Sequence, residues 1–117
     1  MAKIAVTSEG PALDDRMDMR FGRAAGFIII DPRSMTFEYL DNGAGQVRGQ
    51  GAGIQAAETV ARAGAGAVLT GFVGPKAFQA LKAAGIKIGT DLQNLTVREA
   101  VERFNANLIE WTDQANR

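Results

Sequence analysis

Between residues 14 and 24 the chain reads "DDRMDMRFGRA", a segment that crowds three kinds of chemistry together. Asp14, Asp15 and Asp18 carry hard oxygen donors of the kind that hold Mg²⁺, although their spacing fits no calcium-loop pattern. The competing reading is a solvated loop whose carboxylates pair with Arg16 and Arg20. Met17 and Met19 offer soft thioether ligands suited to Cu(I). A methionine in such a loop more often fills a gap in the core. Arg20 and Arg23 flank Phe21 and Gly22 immediately before the hydrophobic run "GFIII". A strand entrance needs no cation there. The pair either forms surface ion pairs with the aspartates, which stabilise little, or frames a site for an anion.

A second set of residues bears on that choice. The segments "GQGAGIQ" (49–55) and "GFVGPKA" (71–77) are each a glycine-bearing loop that runs into a helical pattern. A helix N-terminus presents backbone N–H groups without intrahelical partners and about half a positive charge. Two such ends together make an anion site. Gly51, Gly53, Gly71 and Gly74 would let backbone approach the ligand, and Arg48 and Lys76 would add full charges. No Gly-Lys-Ser/Thr follows, so neither segment is a Walker A loop, and the spacing is not that of the dinucleotide-binding fingerprint. The plain alternative is that these glycines serve tight turns and close helix–sheet packing.

The elements that must position these groups follow from periodicity. "KIAVTS" (3–8) and "FIIID" (27–31) read as buried strands, and "TFEYL" (36–40) as the second arm of a hairpin across the turn "DPRSM". A glycine-dense loop, 41–53, is expected to be mobile without ligand. "IQAAETVARAG" (54–64) has a helical stripe at 54, 57, 60 and 61 and a glycine stop. "AVLT" (67–70) is a strand, "KAFQALKAAG" (76–85) a helix entered through Pro75, and "IKIGT" (86–90) a strand. "TVREAVERF" (96–104) is a helix opened by a Thr96/Glu99 capping box. Arg98/Glu102 and Glu99/Arg103 are spaced to pair along it. The tail carries Leu108, Ile109 and Trp111 and then turns polar; Trp111 docks on the body or on a partner chain. The order β, β, β, α, β, α, β, α predicts an α/β fold in a single domain spanning residues 1–117. Its five-stranded mixed sheet is antiparallel at one side, parallel at the other, and flanked by three helices.

Composition narrows the function. The chain has 117 residues, 13 basic and 13 acidic, with no cysteine and no histidine. Thiolate or imidazole metal sites and histidine-dependent nucleophilic catalysis are thereby excluded. A net charge of zero argues against nucleic acid and acidic membranes as partners. No stretch is long and apolar enough for a signal peptide or a span, so a cytoplasmic location is expected. A Mg²⁺-dependent nuclease would need carboxylates clustered on the sheet, and Asp31 is the single candidate at a strand end.

Six segments occur in order over residues 3–104: "KIAVTSEG", "MDMRFGRA", "GAGIQAAE", "TGFVGPKAF", "LKAAGIKI" and "TVREAVERF". Together they resemble the dinitrogenase iron–molybdenum cofactor biosynthesis family, which includes nitrogenase cofactor carriers and small stand-alone proteins of anaerobes and archaea. The resemblance implies a ribonuclease H-like α/β fold. It implies a non-enzymatic carrier of an anionic metal–sulfur cluster, a molybdenum–copper sulfide cluster foremost, with an iron–molybdenum cofactor-type cluster as the alternative cargo. Protein partners such as an ATPase of a cluster-handling complex are implied too. Carried over by position, the family's segments fall on Arg20, Phe21, Gly22 and Arg23, on Gly51 and Gly53, and on Gly71, Gly74 and Pro75. Some cofactor carriers place histidine or cysteine near these loops, and this chain has neither. A cluster that brings its own sulfides needs no such ligand: backbone N–H groups and arginines can meet its charge. An adaptor without ligand, contacting a partner through Trp111 and the tail, is the alternative reading.

Overall fold

The computed structural model describes residues 3–43 and 51–116. Five strands form one sheet: β1 (Lys3–Ser8), β2 (Gly26–Ile30), β3 (Phe37–Asp41), β4 (Ala65–Leu69) and β5 (Lys87–Gly89), in the spatial order β3-β2-β1-β4-β5. The helices are α1 (Ala52–Arg62), α2 (Pro75–Ala83) and α3 (Val97–Asn105). The α/β class and the mixed sheet are as the element order predicts. β1 is antiparallel to β2 and parallel to β4; β2 is antiparallel to β3, and β4 is parallel to β5. Four strands therefore point the same way and only β2 opposes them. The loops that leave β1, β3, β4 and β5 all emerge at one edge of the sheet.

Both faces of the sheet are covered, which is why its central strands read as unbroken apolar runs. Alternation still sorts their side chains. Phe27 and Ile29 of β2, with Ala5 and Val68, join a core beneath α1 and α2. Ile28 and Ile30, with Ile4, Val6, Ala67 and Leu69, join a second core beneath α3. Strand β3 is the exposed edge, and its pattern is correspondingly mixed.

Local signals act as their chemistry requires, with two departures, and the tail takes one of the two courses open to it. Thr96 accepts from the Glu99 N–H, and the Thr96 N–H donates to the Glu99 carboxylate, closing the capping box of α3. That use removes Glu99 from any pairing with Arg103, and Arg98 turns across to Asp14 (Nε–Oδ1 2.9 Å) instead of to Glu102. The Arg98 hydrogen bond and charge hold the Asp14 carboxyl below its ordinary range. Helix α1 starts at Ala52, earlier than the stripe beginning at Ile54 suggests, because Gly51 takes φ +83° and serves as its N-cap. Its buried face is Ala52, Ala56, Ala57 and Val60, and Ile54 points outward at 39% exposure. Finally, the segment after α3 docks on the protein's own body. Trp111 stacks edge-on against Phe104 (6.1 Å between centroids), lies under the Lys87 ammonium at 4.6 Å and bridges to Gly89.

The loops at the crowded edge meet at backbone distance. A Cβ on Gly22 would sit 2.9 Å from the N and Cα of Gly53, and one on Gly53 would sit 2.8 Å from the Ala77 Cβ. The arginine loop and α1 thus touch glycine to glycine, and α1 meets α2 through Gly53 against the Ala77 methyl. Gly22→Ala must push backbone against backbone. We expect it to lower stability by about 1–3 kcal/mol, read as a fall in the urea midpoint, with amide shifts concentrated in residues 51–54. An unchanged midpoint would mean the two loops do not pack this way.

Candidate functional site

The arginine loop is held by a buried carboxylate. Asp18 is 3% exposed and accepts from the Arg20 and Ala25 N–H groups (3.0 and 3.2 Å) and from Arg20 Nε and Nη2 (both 3.2 Å). Hydrogen bonding and the charge of Asp18 raise the Arg20 guanidinium above its ordinary pKa, so it stays charged. The chain around Asp18 is tied to the strand ends. The Asp18 N–H donates to the Thr7 carbonyl, and the Thr7 hydroxyl donates to the Asp18 carbonyl at 2.6 Å. The Asn42 amide, at the end of β3, donates to the carbonyls of Gly22 and Ala24 (3.2 and 3.1 Å). One anion-binding arginine candidate is therefore fixed in direction by two links, with its side chain still 56% exposed.

Two helices end at the same place. Among the described residues no side chain caps α1, entered at Gly51, or α2, entered at Gly74, and neither helix carries an acidic residue in its first turn. α3, with its full capping box, shows that the chain can close such an end where nothing else is to use it. Pro75 at the first position of α2 has no N–H to offer, which leaves the N–H groups just after it to face outward.

These parts enclose a concave pocket of about 730 Å³. It is lined by Arg20, Phe21, Gly22, Arg23, Gly51 and Gly53, and also by Gly74 and Lys76. Ala52, Ile54, Phe72, Pro75 and Ala77 complete the wall. Among the described residues three cationic side chains and no carboxylate line it. Phe21 is buried and tilts against Phe27 at 5.9 Å, so it forms part of the floor.

Most of the residues singled out from the sequence are brought together here; the others are placed as follows. Arg48 lies outside the described residues, as does most of the glycine-dense loop. Gly71 is set back from the pocket: a Cβ there would strike the Met19 carbonyl at 2.6 Å, so its bareness serves the approach of the arginine loop. Met17 is buried among Ile4, Val6 and Leu95, and Met19 packs against the same core. The aspartates scatter, with Asp14 on Arg98, Asp15 on the Ala12 N–H and Asp18 on Arg20. Asp31 is occupied by the N–H groups of Arg33 and Ser34 in the hairpin turn. Among the described residues no three acidic side chains gather to hold a metal ion, and no helix is long and apolar enough to cross a membrane.

Ile54, Phe72 and Asn42 enter the site without having been singled out for it, whereas the Asp18–Arg20 pair is one that the sequence offered. Ile54 carried a signal, as the large apolar residue beside a glycine cap, but helical phase assigned it to the core. The others act through contacts far apart in sequence that no local pattern announces.

A sequence profile described as dinitrogenase iron–molybdenum cofactor matches residues 1–107. Among solved structures, the apo form of the orange protein from Desulfovibrio gigas is 57% identical with a TM-score of 0.97, covering 100% of this chain and 98% of that one. A putative NifB protein from Thermotoga, solved by NMR, is 32% identical with a TM-score of 0.85, covering 100% of this chain and 98% of its own. No curated protein sequence matches. On the profile, the shared fold and these identities, the chain belongs to the dinitrogenase iron–molybdenum cofactor family.

Proposed function

We propose that the protein binds and carries an anionic metal–sulfur cluster, a molybdenum–copper sulfide cluster foremost, and performs no catalysis on it. The observation that carries this reading is the convergence of two uncapped helix N-termini with Arg20, Arg23 and Lys76 on one pocket whose lining holds no described carboxylate. Oriented N–H groups and fixed cations attract an anion without any donor atom bonding a metal. A volume of about 730 Å³ falls in the ordinary range for small ligands. Family membership and likeness to a protein solved in its apo form support a cargo rather than a substrate.

The donor set favours a cluster that supplies its own sulfides. With no cysteine and no histidine in the chain, an iron–molybdenum cofactor-type cargo would have neither thiolate nor imidazole to hold it. The methionines take no part, since Met17 is in the core and Met19 backs Gly71. Phe21, Ile54, Phe72 and Ala77 make much of the wall apolar. Such a wall suits a weakly hydrated sulfide anion. A strongly hydrated oxoanion would lose water there without gaining enough hydrogen bonds.

Mixing the apo-protein with tetrathiomolybdate and Cu(I) without oxygen, then desalting, tests the reading. The expected product is coloured, with stoichiometric molybdenum and copper and a charge-transfer band; a colourless, metal-free protein would refute it. Arg20→Ala combined with Arg23→Ala should weaken uptake at least about tenfold, the loss of one charge-assisted contact or more. Uptake unchanged in that variant would remove the arginines from the site. Molybdate or sulfate, added in equal amount, should not displace the thiometallate. Equal competition would mean that charge alone is recognised.

A further inference from the structure

Residues 71–73, which lead from β4 to the open end of α2, form an extended strip with both edges occupied. On one edge Phe72 pairs with the arginine loop: its N–H donates to the Met19 carbonyl (2.7 Å), and its carbonyl accepts from the Phe21 N–H (3.1 Å). On the other edge stands a residue 43 positions away in sequence. The Asn116 N–H donates to the Val73 carbonyl (3.1 Å), and the Asn116 Oδ1 accepts from the Val73 N–H (2.8 Å). Its Nδ2 donates to the Gly71 carbonyl (2.9 Å) and to Asp91 Oδ1 (3.1 Å). Val73 is 1% exposed, and a backbone pair at such a position needs partners. Asn116 supplies both.

The segment that delivers Asn116 is anchored at Trp111, on Phe104, Lys87 and Gly89, and lightly held beyond it. The Thr112 N–H bonds to the Ile88 carbonyl, Thr112 and Gln114 close a small turn, and Ala115 rests partly buried on the core that contains Phe21 and Val73. Trp111, Asp113 and Gln114 are exposed. Few buried contacts mean that such a segment opens at a lower free energy than the sheet.

We infer that residues 111–116 are a strap on strip 71–73, behind the pocket lining, and that Asn116 is the positioning residue that fixes the strip, and with it the N-terminus of α2; undocking of the strap loosens the pocket and speeds loss of the cargo. This rests on the pocket being the cargo site. The physical need is geometric. The field and N–H groups of a helix end act over about one turn, so the end must be held in place to hold an anion.

Three variants test it. Asn116→Ala removes the side-chain bonds and keeps the backbone donor. Asn116→Asp keeps the acceptor for Val73 but sets a carboxylate against both Asp91 and the Gly71 carbonyl. Adding Asp91→Asn to Asn116→Asp restores the contact between residues 116 and 91 in reversed polarity, at a position (φ +65°) that asparagine adopts readily, and leaves the Gly71 carbonyl with the backbone N–H of residue 91 alone. Amide hydrogen exchange is followed by NMR in the apo-protein at Phe72, Val73 and Phe78, whose N–H groups are bonded to Met19, Asn116 and Gly74, against Val6 and Ile29 in the sheet. Release of molybdenum and copper is followed in the reconstituted protein. Both single variants should speed exchange at Phe72, Val73 and Phe78, and metal release, by about tenfold or more, with the sheet amides changed less than about twofold. The double variant should return both towards the parent. Exchange that rises equally in strip and sheet would make Asn116 merely structural and overturn the proposal. Unchanged exchange would also overturn it, as would local loosening with unchanged release. If the parent itself retains no metal, the cargo reading fails separately, and the exchange pattern alone then decides whether the strap holds the strip.

Discussion

Strand β1 takes an antiparallel neighbour on one side and a parallel neighbour on the other, and the site depends on that double pairing. Reverse either partner, and the loops after β1, β3, β4 and β5 no longer leave from one edge. The pairing in turn depends on apolar side chains filling both faces, because a parallel pair survives only where helices cover it. The cores under α1/α2 and under α3 are therefore what let a loop of arginines, two helix ends and the segment after α3 meet. Chemistry at the edge is a consequence of burial at the centre.

Within the edge, polar groups are used in two distinct ways. Asp18, Thr7 and Asn42 are spent inward, fixing the backbone of the arginine loop. Arg20, Arg23 and Lys76 stay at the pocket. A buried carboxylate satisfied by two backbone N–H groups and one guanidinium gives Arg20 a direction that an exposed ion pair could not, since surface pairs are weakly held. The contrast among the helices has the same logic. α3 spends Thr96 and Glu99 on closing its own end, whereas α1 and α2 begin at glycines that close nothing.

Much of this was legible in the sequence, for reasons that can be named. The run "FIII" between turn formers reads as a strand covered on both faces, and it is one. Thr96 and Glu99 stand at capping-box spacing, and Pro75 and Gly85 bracket α2. The arginine and glycine segments share one pocket because their place after strand ends follows from the order of elements. What stayed hidden depends on contacts between distant residues. Ile54 leaves the helical stripe because alanines at 52, 56 and 57 take the inner face. Met17 and Met19 have the chemistry of ligands but the surroundings of a core. Arg98 prefers Asp14, brought near by the fold, to the acid one turn along its own helix. Asn116 gives no local sign, since its partners lie at 71, 73 and 91.

The contact of Gly53 with Ala77 places the first turns of α1 and α2 side by side. Each is the positive pole of a helix, so two like poles lie close together with arginines beside them. The two poles repel; of the arginines, Arg20 is offset by Asp18 behind the lining, while no carboxylate among the described lining residues stands between the poles themselves. The fold thus carries an internal electrostatic tension at this edge, balanced by burial elsewhere. Any anion that settles between the poles relaxes that tension. Ligand affinity and folding stability are then coupled at this edge: whatever the pocket holds well must also tighten the protein that holds it.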